Sequence, residues 1–318
     1  MNRYREIEVA GLPREMGRQI GEAAGDEIRG FCDSALSQVN KFVRVSKPTA
    51  DGIVAKALQC AERYSPDMVE ELRGMAEAAR VSVEDIMLLQ VRNQLQPESD
   101  SGCTSLALAA DGRCRMSGLV AQNWDNDPDL QPFTVVLTRR PVGKPALMTI
   151  TQAGLIAYIG FNEAGIGVCL NTLPAPARSI GVPHYFTVRG IYETDSLEGA
   201  VQAVRRADRA IPANIMLATP QGPADLEVTL DHVHVLQDAC VRERVQPVVG
   251  IGRHARRILQ ASIRERMLAS LAGSNFETYS STPTDSPSFR FDSPDSDECM
   301  ITGTPSKRGS ALIFLASM

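Results

Sequence analysis

The rhythm of hydrophobic and polar positions changes near residue 103. Before it, apolar residues recur at helical spacing; after it, they mostly alternate. Residues 5–10 (Arg-Glu-Ile-Glu-Val-Ala) alternate and predict a strand, broken by Gly11-Leu12-Pro13. From Arg14 to about Val43 the positions Met16, Ile20, Ala23, Ala24, Ile28, Phe31, Leu36 and Val39 predict one helix. Two more helices fit 51–64 and 66–80, the second opened by Ser65-Pro66 with Asp67 and Glu70 in its first turn. A further helix, Ser82–Asn93, begins with a capping-box-like Ser82-Val83-Glu84-Asp85. Residues 94–102 are polar, include Pro97 and end at Gly102, which predicts an exposed loop.

Strands are predicted at 103–110, 115–122, 133–139, 146–152, 155–161 and 165–171, with turns at Asp111-Gly112, Gly154 and Asn162-Glu163-Ala164-Gly165. Helices follow at about 183–193 and 196–207, with Ser196 near the second one's cap, then strands at 214–219, 224–230 and 232–237. A helix at 254–272 carries Arg256, Arg257, Arg264 and Arg266. Residues 274–309 are rich in Ser, Thr, Pro and Asp and predict surface loop or partial disorder; Ala311–Ala316 predicts a last buried strand. Many antiparallel strands with grouped helices and few strand–helix–strand alternations give an α+β class.

Composition narrows the function. The chain has 318 residues, 43% of them hydrophobic, enough for a substantial core in one large domain or two small ones. A formal net charge of −5 without a basic stripe argues against nucleic acid as a partner. The longest apolar runs are too short to span a bilayer, and the charged Met-Asn-Arg-Tyr-Arg-Glu start has no apolar run behind it. No membrane partner and no signal peptide are expected, and a cytoplasmic location is the default expectation. Seven scattered cysteines with no C-x-x-C pair argue against a disulfide framework and a zinc site. His232 and His234 would face one side of a strand but lack a third ligand, so no metal is expected.

The candidate chemistry lies in the hairpin that begins at the change of rhythm. Cys103 follows Gly102, opens the strand Thr104-Ser105-Leu106-Ala107-Leu108-Ala109, and the chain returns through Gly118-Leu119-Val120-Ala121 into Gln122-Asn123-Trp124-Asp125. Such a hairpin can carry a nucleophile at its first residue and bring a carboxylate back beside it. This pattern resembles the acyl-CoA:6-aminopenicillanic acid acyltransferase family of N-terminal-nucleophile hydrolases (peptidase family C45). Gly11–Gly21 looks like that family's N-terminal motif, and Gly160-Phe161-Asn162-Glu163-Ala164-Gly165 through Leu170-Asn171-Thr172-Leu173 looks like its central one.

The resemblance covers nearly the whole chain. It implies a four-layer αββα sandwich with a mainly helical N-terminal segment. It also implies self-cleavage between Gly102 and Cys103, giving an α fragment 1–102 that stays bound to a β fragment 103–318 as a heterodimer. The new N-terminal Cys103 would be the nucleophile, with its own α-amino group (reference pKa about 7.7–8.0) as the base, so that no histidine is required. The residue-level alternative is a small buried hydrophobe, the usual place of a free cysteine. By resemblance Asp125 is the catalytic aspartate, able to hold the ammonium; a turn-forming role beside Asn126-Asp127-Pro128 is its alternative. Asn171 would donate to the oxyanion, while Asn162 shapes the turn with Gly165. Gln122, which replaces an arginine of the related bile-salt hydrolases, and Trp124 are the substrate-binding candidates, with Trp124 also readable as core. Arg266 occupies a Ser-x-x-Arg-x-Arg context like the family's late arginine, or a solvated basic face.

One departure stands out. Where the family carries Thr-Asn-His, this chain reads Gln237-Asp238-Ala239-Cys240-Val241-Arg242, and no asparagine lies between Asn214 and Asn275. Two readings follow. One is an enzyme that hydrolyses or transfers an acyl group from a small-molecule amide or thioester through S-acyl-Cys103. The other is an impaired relic that binds such a ligand without turnover. No cofactor is expected; acyl-CoA stays open as a co-substrate, although no phosphate-cradling glycine loop is present.

Overall fold

In the computed structural model the described residues are 4–41, 43–95, 103–109, 118–171, 173 and 175–237, together with the strand backbones of 242–245, 288–291, 299–305 and 310–317. The chain opens with β1 (Arg5–Gly11) and five helices: α1 (Pro13–Ala23), α2 (Gly25–Val39), α3 (Lys47–Tyr64), α4 (Pro66–Ala79) and α5 (Val83–Leu95). The one long helix expected from Arg14 is two. It breaks at Ala24, whose backbone (φ −121°, ψ 31°) is not helical. The break lets α1 lie along α4 while Ile28 and Phe31 of α2 turn into the core.

The α1–α4 crossing depends on missing side chains. A Cβ on Gly17 would lie 2.0 Å from the Glu71 carbonyl oxygen, and one on Gly74 2.2 Å from that of Arg14. This explains the glycine spacing of the N-terminal motif. Alanine would gain up to about 1 kcal/mol of helix propensity at such a site. The overlap is with main chain, which yields less easily than a side chain, and overpacking costs about 1–3 kcal/mol. Gly17→Ala should therefore lower the urea midpoint; an unchanged or raised midpoint would show that the helices can move apart freely.

The caps follow the sequence. Ser82 Oγ accepts from Asp85 N (3.0 Å) and Asp85 Oδ2 accepts from Ser82 N (3.2 Å), a reciprocal box. Ser46 caps α3 by accepting from Thr49 N, with Pro48 in the first turn, so the helix starts ahead of the expected residue 51.

Two sheets follow. The larger has the order β1-β4-β5-β6-β7-β8-β9-β10, from β4 (Thr134–Pro141), β5 (Leu147–Gln152), β6 (Ile159–Asn162), β7 (Gly167–Asn171), β8 (Ala213–Ala218), β9 (Ala224–Val228) and β10 (Val233–Leu236). β1 joins parallel to β4; the other pairs are antiparallel. The smaller has the order β11-β2-β3-β14-β13-β12, from β2 (Thr104–Ala109), β3 (Gly118–Asp125), β11 (Arg242–Val245), β12 (Ser288–Phe291), β13 (Cys299–Pro305) and β14 (Ser310–Ser317). Helices α6 (His184–Tyr192) and α7 (Leu197–Arg205) pack on the larger sheet, the latter capped by Ser196. This is an α+β architecture.

Two further expectations need correction. Residues 155–158 are loop, so the strand expected at 155–161 shrinks to β6. Gln90 holds that loop, donating to Gly154 O (2.8 Å) and accepting from Ile156 N (3.2 Å), so its polar backbone groups need no strand partner. Part of 274–309 is not loop: Ser-Phe-Arg-Phe and Cys-Met-Ile-Thr-Gly-Thr-Pro pair as β12 and β13, where alternation outweighs polar composition. Residues 242–245, for which no element is expected, form strand β11 beside β2. The Asp111-Gly112 turn and the helix expected at 254–272 lie outside the described residues.

The sheets face each other. β2, β3 and β14 lie over β6, β7 and β8, and Cys103, Ala107, Val120 and Trp124 join Ile159, Val168, Leu170, Ile215 and Leu217 in one core between them. A second core forms where α1–α5 cover Ile7, Val9, Val135 and Leu137 on the other side of the larger sheet.

Candidate active site

Cys103 sits immediately before β2 and is buried at 3% exposure. Register sets its neighbours: Thr104 faces Asn123 and Ser105 faces Gln122 across the hairpin. Period-two alternation then puts Cys103 and Ser105 on the same face as Gln122 and Trp124, the face turned to the larger sheet. Asp125 closes β3 two residues past Asn123, so its backbone lies at the end of the hairpin where Cys103 begins. Gly102 and Arg266 lie outside the described residues.

Gln122 links the two sheets. Its Nε2 donates to Leu170 O (2.7 Å) and its Oε1 accepts from Leu170 N (2.9 Å). β6 pairs β7 only through Gly167 and Val168, so Leu170 lies past the end of that partner strand. The glutamine amide takes the place of the missing strand and satisfies both backbone groups. Both ends of the Gln122 amide are thus engaged in holding β7, and with it Asn171, against the hairpin.

Asn171 ends β7, 4% exposed. Its Oδ1 accepts from Ser105 Oγ (3.2 Å), which ties it to the strand that Cys103 opens. Its Nδ2 donates to Asn214 Oδ1 (3.0 Å), and Asn214 Nδ2 donates to Asp225 Oδ1. An amide nitrogen carries two hydrogens, so among the described residues one N–H of Asn171 is left for a further acceptor. Asn162, by contrast, is a turn residue: Oδ1 accepts from Ile166 N (2.9 Å) and Nδ2 donates to Tyr192 O (2.9 Å) and Thr194 O (2.7 Å). Gly165 completes that turn at φ +82°, a conformation favouring glycine.

An aromatic wall stands next to Cys103. Trp124 and Tyr158 have ring centroids 5.3 Å apart, and the indole N–H bonds the Tyr158 hydroxyl. Tyr185 meets Tyr158 edge-on at 5.5 Å, and His184 follows at 5.9 Å. Burial raises the Tyr158 hydroxyl well above its usual pKa, helped by Tyr185 and Cys103, so it is a neutral donor at neutral pH. The crowding protein lowers His184 to about 4 although part of its surface still meets solvent, so it is an uncharged ring there. Trp124 is therefore both core and neighbour of the thiol.

Of the other cysteines, Cys169 lies close by, and burial raises its thiol well above the usual value, with Cys103 adding to the shift. Cys60 is buried and Cys32, partly buried, is pushed up to about 12. Cys60 and Cys169 are core thiols and Cys32 packs against the core. Cys114 and Cys240 lie outside the described residues. His232 and His234 sit exposed near β10 with rings 5.9 Å apart. No group of three His, Cys, Asp or Glu that could hold a metal ion occurs among the described residues.

Sequence reasoning passed over Ser105, Asn214, Asp225, Tyr158 and Arg92. Arg92 of α5 is buried, stacks 4.7 Å from the Phe31 ring centre, leaves Nε without a hydrogen-bond partner among the described residues, and acts electrostatically on the Tyr158 hydroxyl in the opposite sense to Cys103, favouring the ionised form. Ser105 could have been found, since i, i+2 from Cys103 shares its face. The others converge only by tertiary packing.

Comparison with known proteins bears on this site. No family model matches the chain. The chain is 28% identical over 226 residues, 70% of its length, to the 40 kDa form of acyl-coenzyme A:6-aminopenicillanic-acid-acyltransferase of Emericella nidulans. It is 24% identical over 217 residues, 62% of its length, to the β-alanyl-dopamine/carcinine hydrolase of Drosophila melanogaster. The matches span 62% and 56% of those relatives' own lengths. Among the described residues no helix is long and apolar enough to cross a membrane. With a cysteine-headed hairpin held to Asn171 and this similarity along most of its length, the chain is related to the acyl-coenzyme A:6-aminopenicillanic-acid acyltransferase family.

Proposed function

We propose that the protein is a self-processing thiol N-terminal-nucleophile enzyme, with an αββα sandwich as its catalytic core, that cleaves or transfers an acyl group of a small-molecule amide or thioester. The observation that carries this reading is the Ser105–Asn171 bond, in which the Asn171 oxygen accepts from Ser105 and so ties the asparagine amide to the strand opened by a buried cysteine. The similarity to an acyltransferase and to a hydrolase named for amide-containing compounds supports it.

In the maturation step, Cys103 Sγ attacks the Gly102 carbonyl carbon and the peptide C–N bond breaks. The freed nitrogen takes the thiol proton, leaving a thioester that water hydrolyses. In turnover the new α-amino group takes the thiol proton and Sγ adds to the substrate carbonyl. The free Asn171 N–H donates to the resulting oxyanion. Collapse expels the amine or thiol, protonated by the Cys103 ammonium, and leaves S-acyl-Cys103. Water then gives the acid, or an amine acceptor gives a new amide. Asp125 holds the ammonium. After cleavage the fragments stay together, because Glu71 of the first is buried against Arg139 and Arg189 of the second.

The test is mass spectrometry. Purified protein should separate on denaturation into fragments 1–102 and 103–318. Incubation with p-nitroanilides of a straight-chain acyl series and the matching phenyl thioesters should add one acyl group at Cys103. Protein that is folded and cleaved yet takes up no acyl group from any of these would favour a ligand-binding relic. That outcome would fit the absent Thr-Asn-His.

A further inference from the structure

The buried chain Asp225–Asn214–Asn171–Ser105 has a direction, and one charged group sets it. An amide can be turned end for end with little change of shape, so a bond between two asparagines does not fix which presents oxygen. A carboxylate is different: ionised, it only accepts. Asn214, completely buried on β8, must therefore turn its NH2 to Asp225 on β9. Its oxygen is then left for Asn171, which must donate from Nδ2. That leaves the Asn171 oxygen to accept from Ser105, whose hydroxyl can rotate to donate. All four residues are at most 4% exposed, so water does not offer alternative partners.

We infer that Asn214 and Asp225 are positioning residues: they fix the orientation of the Asn171 amide, with its oxygen on Ser105 of the Cys103 strand and its nitrogen bonded to Asn214, so that the second N–H of that nitrogen is the group an oxyanion formed at Cys103 would meet. The catalytic half rests on the reading of Asn171 as oxyanion donor; the orientation itself does not. Register supports the arrangement. Asn171 and Asn214 are direct partners on β7 and β8. Asp225 pairs with Met216, which puts it diagonally across from Asn214 on the same face. The relay also bears on the missing Thr-Asn-His: with one asparagine absent near residue 240, the orientation of the remaining amide matters more.

Asp225→Asn removes the acceptor-only end, and the whole chain can then reverse. Placing a carboxylate one step nearer, as Asn214→Asp in the Asp225→Asn background, restores an acceptor directly against Asn171. Two measurements on the full-length protein separate the claims. The first is the side-chain amide signal of Asn171 in nitrogen–proton correlation spectra, assigned by its loss in Asn171→Asp. It should shift in Asp225→Asn and return toward its original position in the double variant. An unshifted signal in Asp225→Asn, or one that the double variant does not recover, overturns the orientation claim.

The second is turnover of the p-nitroanilide and thioester probes. Asp225→Asn should lower kcat about 10-fold to 100-fold with KM nearly unchanged, short of the 10²–10³ that losing a donor outright costs. The double variant should regain most of that loss. Loss in both variants alike would mean that the residues serve only packing, and overturns the positioning role. Wild type that forms no acyl adduct at Cys103 instead refutes the proposed reaction and the catalytic half together, and the spectra still decide the orientation.

Discussion

Cys103→Ala should give a protein that folds, stays one continuous chain and neither takes up an acyl group nor turns over any amide or thioester that the wild type uses. Loss of an enzyme's nucleophile costs on the order of 10⁶-fold in kcat, the largest single effect open to a side chain. Here one atom is asked to act twice, in opening the Gly102–Cys103 bond and in attacking substrate, so both activities should vanish together. Stability should change little. Alanine keeps the Cβ of a side chain that is 3% exposed, and the neighbouring anchors, Ser105 to Asn171 and Gln122 to Leu170, do not involve the sulfur. Intact mass, an acylation assay and a melting curve on one preparation check all three. Retained acyl uptake in Cys103→Ala would remove Cys103 from the chemistry, and an unfolded variant would assign it to the core. Cys169, whose thiol is held protonated by burial, supplies the control: Cys169→Ala should keep acylation.

The largest stability effect should come from Glu71. Its carboxylate, 1% exposed, meets Arg139 Nε at 2.7 Å and Arg189 Nη1 at 3.0 Å, both guanidiniums buried as well. Burial alone would raise the carboxyl, but the two arginines outweigh it and hold it below its ordinary value. Glu71→Gln keeps the shape and deletes the charge, leaving buried Arg139 without its carboxylate and Arg189 with Glu193 alone (3.3 Å); breaking such a cluster costs about 3–5 kcal/mol. Among the described residues Arg139 already has Nη1 unpartnered, and Glu193 pairs with Arg189.

A lowered folded-state pKa also gives the sign of a pH effect. The contribution of Glu71 is complete above the ordinary carboxyl value of about 4.3 and is lost as pH falls through the lower folded-state value. Wild type should therefore lose stability relative to Glu71→Gln only in that acid range. Urea unfolding at neutral pH and in acid tests this. Glu77→Gln on the same helix, whose partners Arg14 and Arg18 are exposed, should leave the midpoint unchanged. A neutral-pH midpoint in Glu71→Gln equal to that of Glu77→Gln would show that the buried cluster contributes no net stability.

Parts of this molecule are legible from local pattern because their causes are local. The Ser82–Asp85 box, the Ser196 cap, the Asn162–Gly165 turn and the hairpin strands each depend on residues within a few positions of each other. Alternation alone sorts Cys103 and Ser105 onto one face of β2. The same local reasoning joined α1 to α2, because helical periodicity continues through Ala24. It also missed β12 and β13, because polar composition concealed short alternating runs.

The sequence by itself determined the α+β class, the helix caps, the turn chemistry, the candidate nucleophile at Cys103 and the resemblance that names its chemistry. Only the tertiary structure decided which polar groups meet. Gln122 and Leu170 are 48 residues apart, Ser105 and Asn171 66, and Arg189 and Glu71 118. None of these spacings has a period or a motif. The pairs exist because two sheets and a helical layer close over one another, and a buried polar group must then find its partner wherever packing has put one.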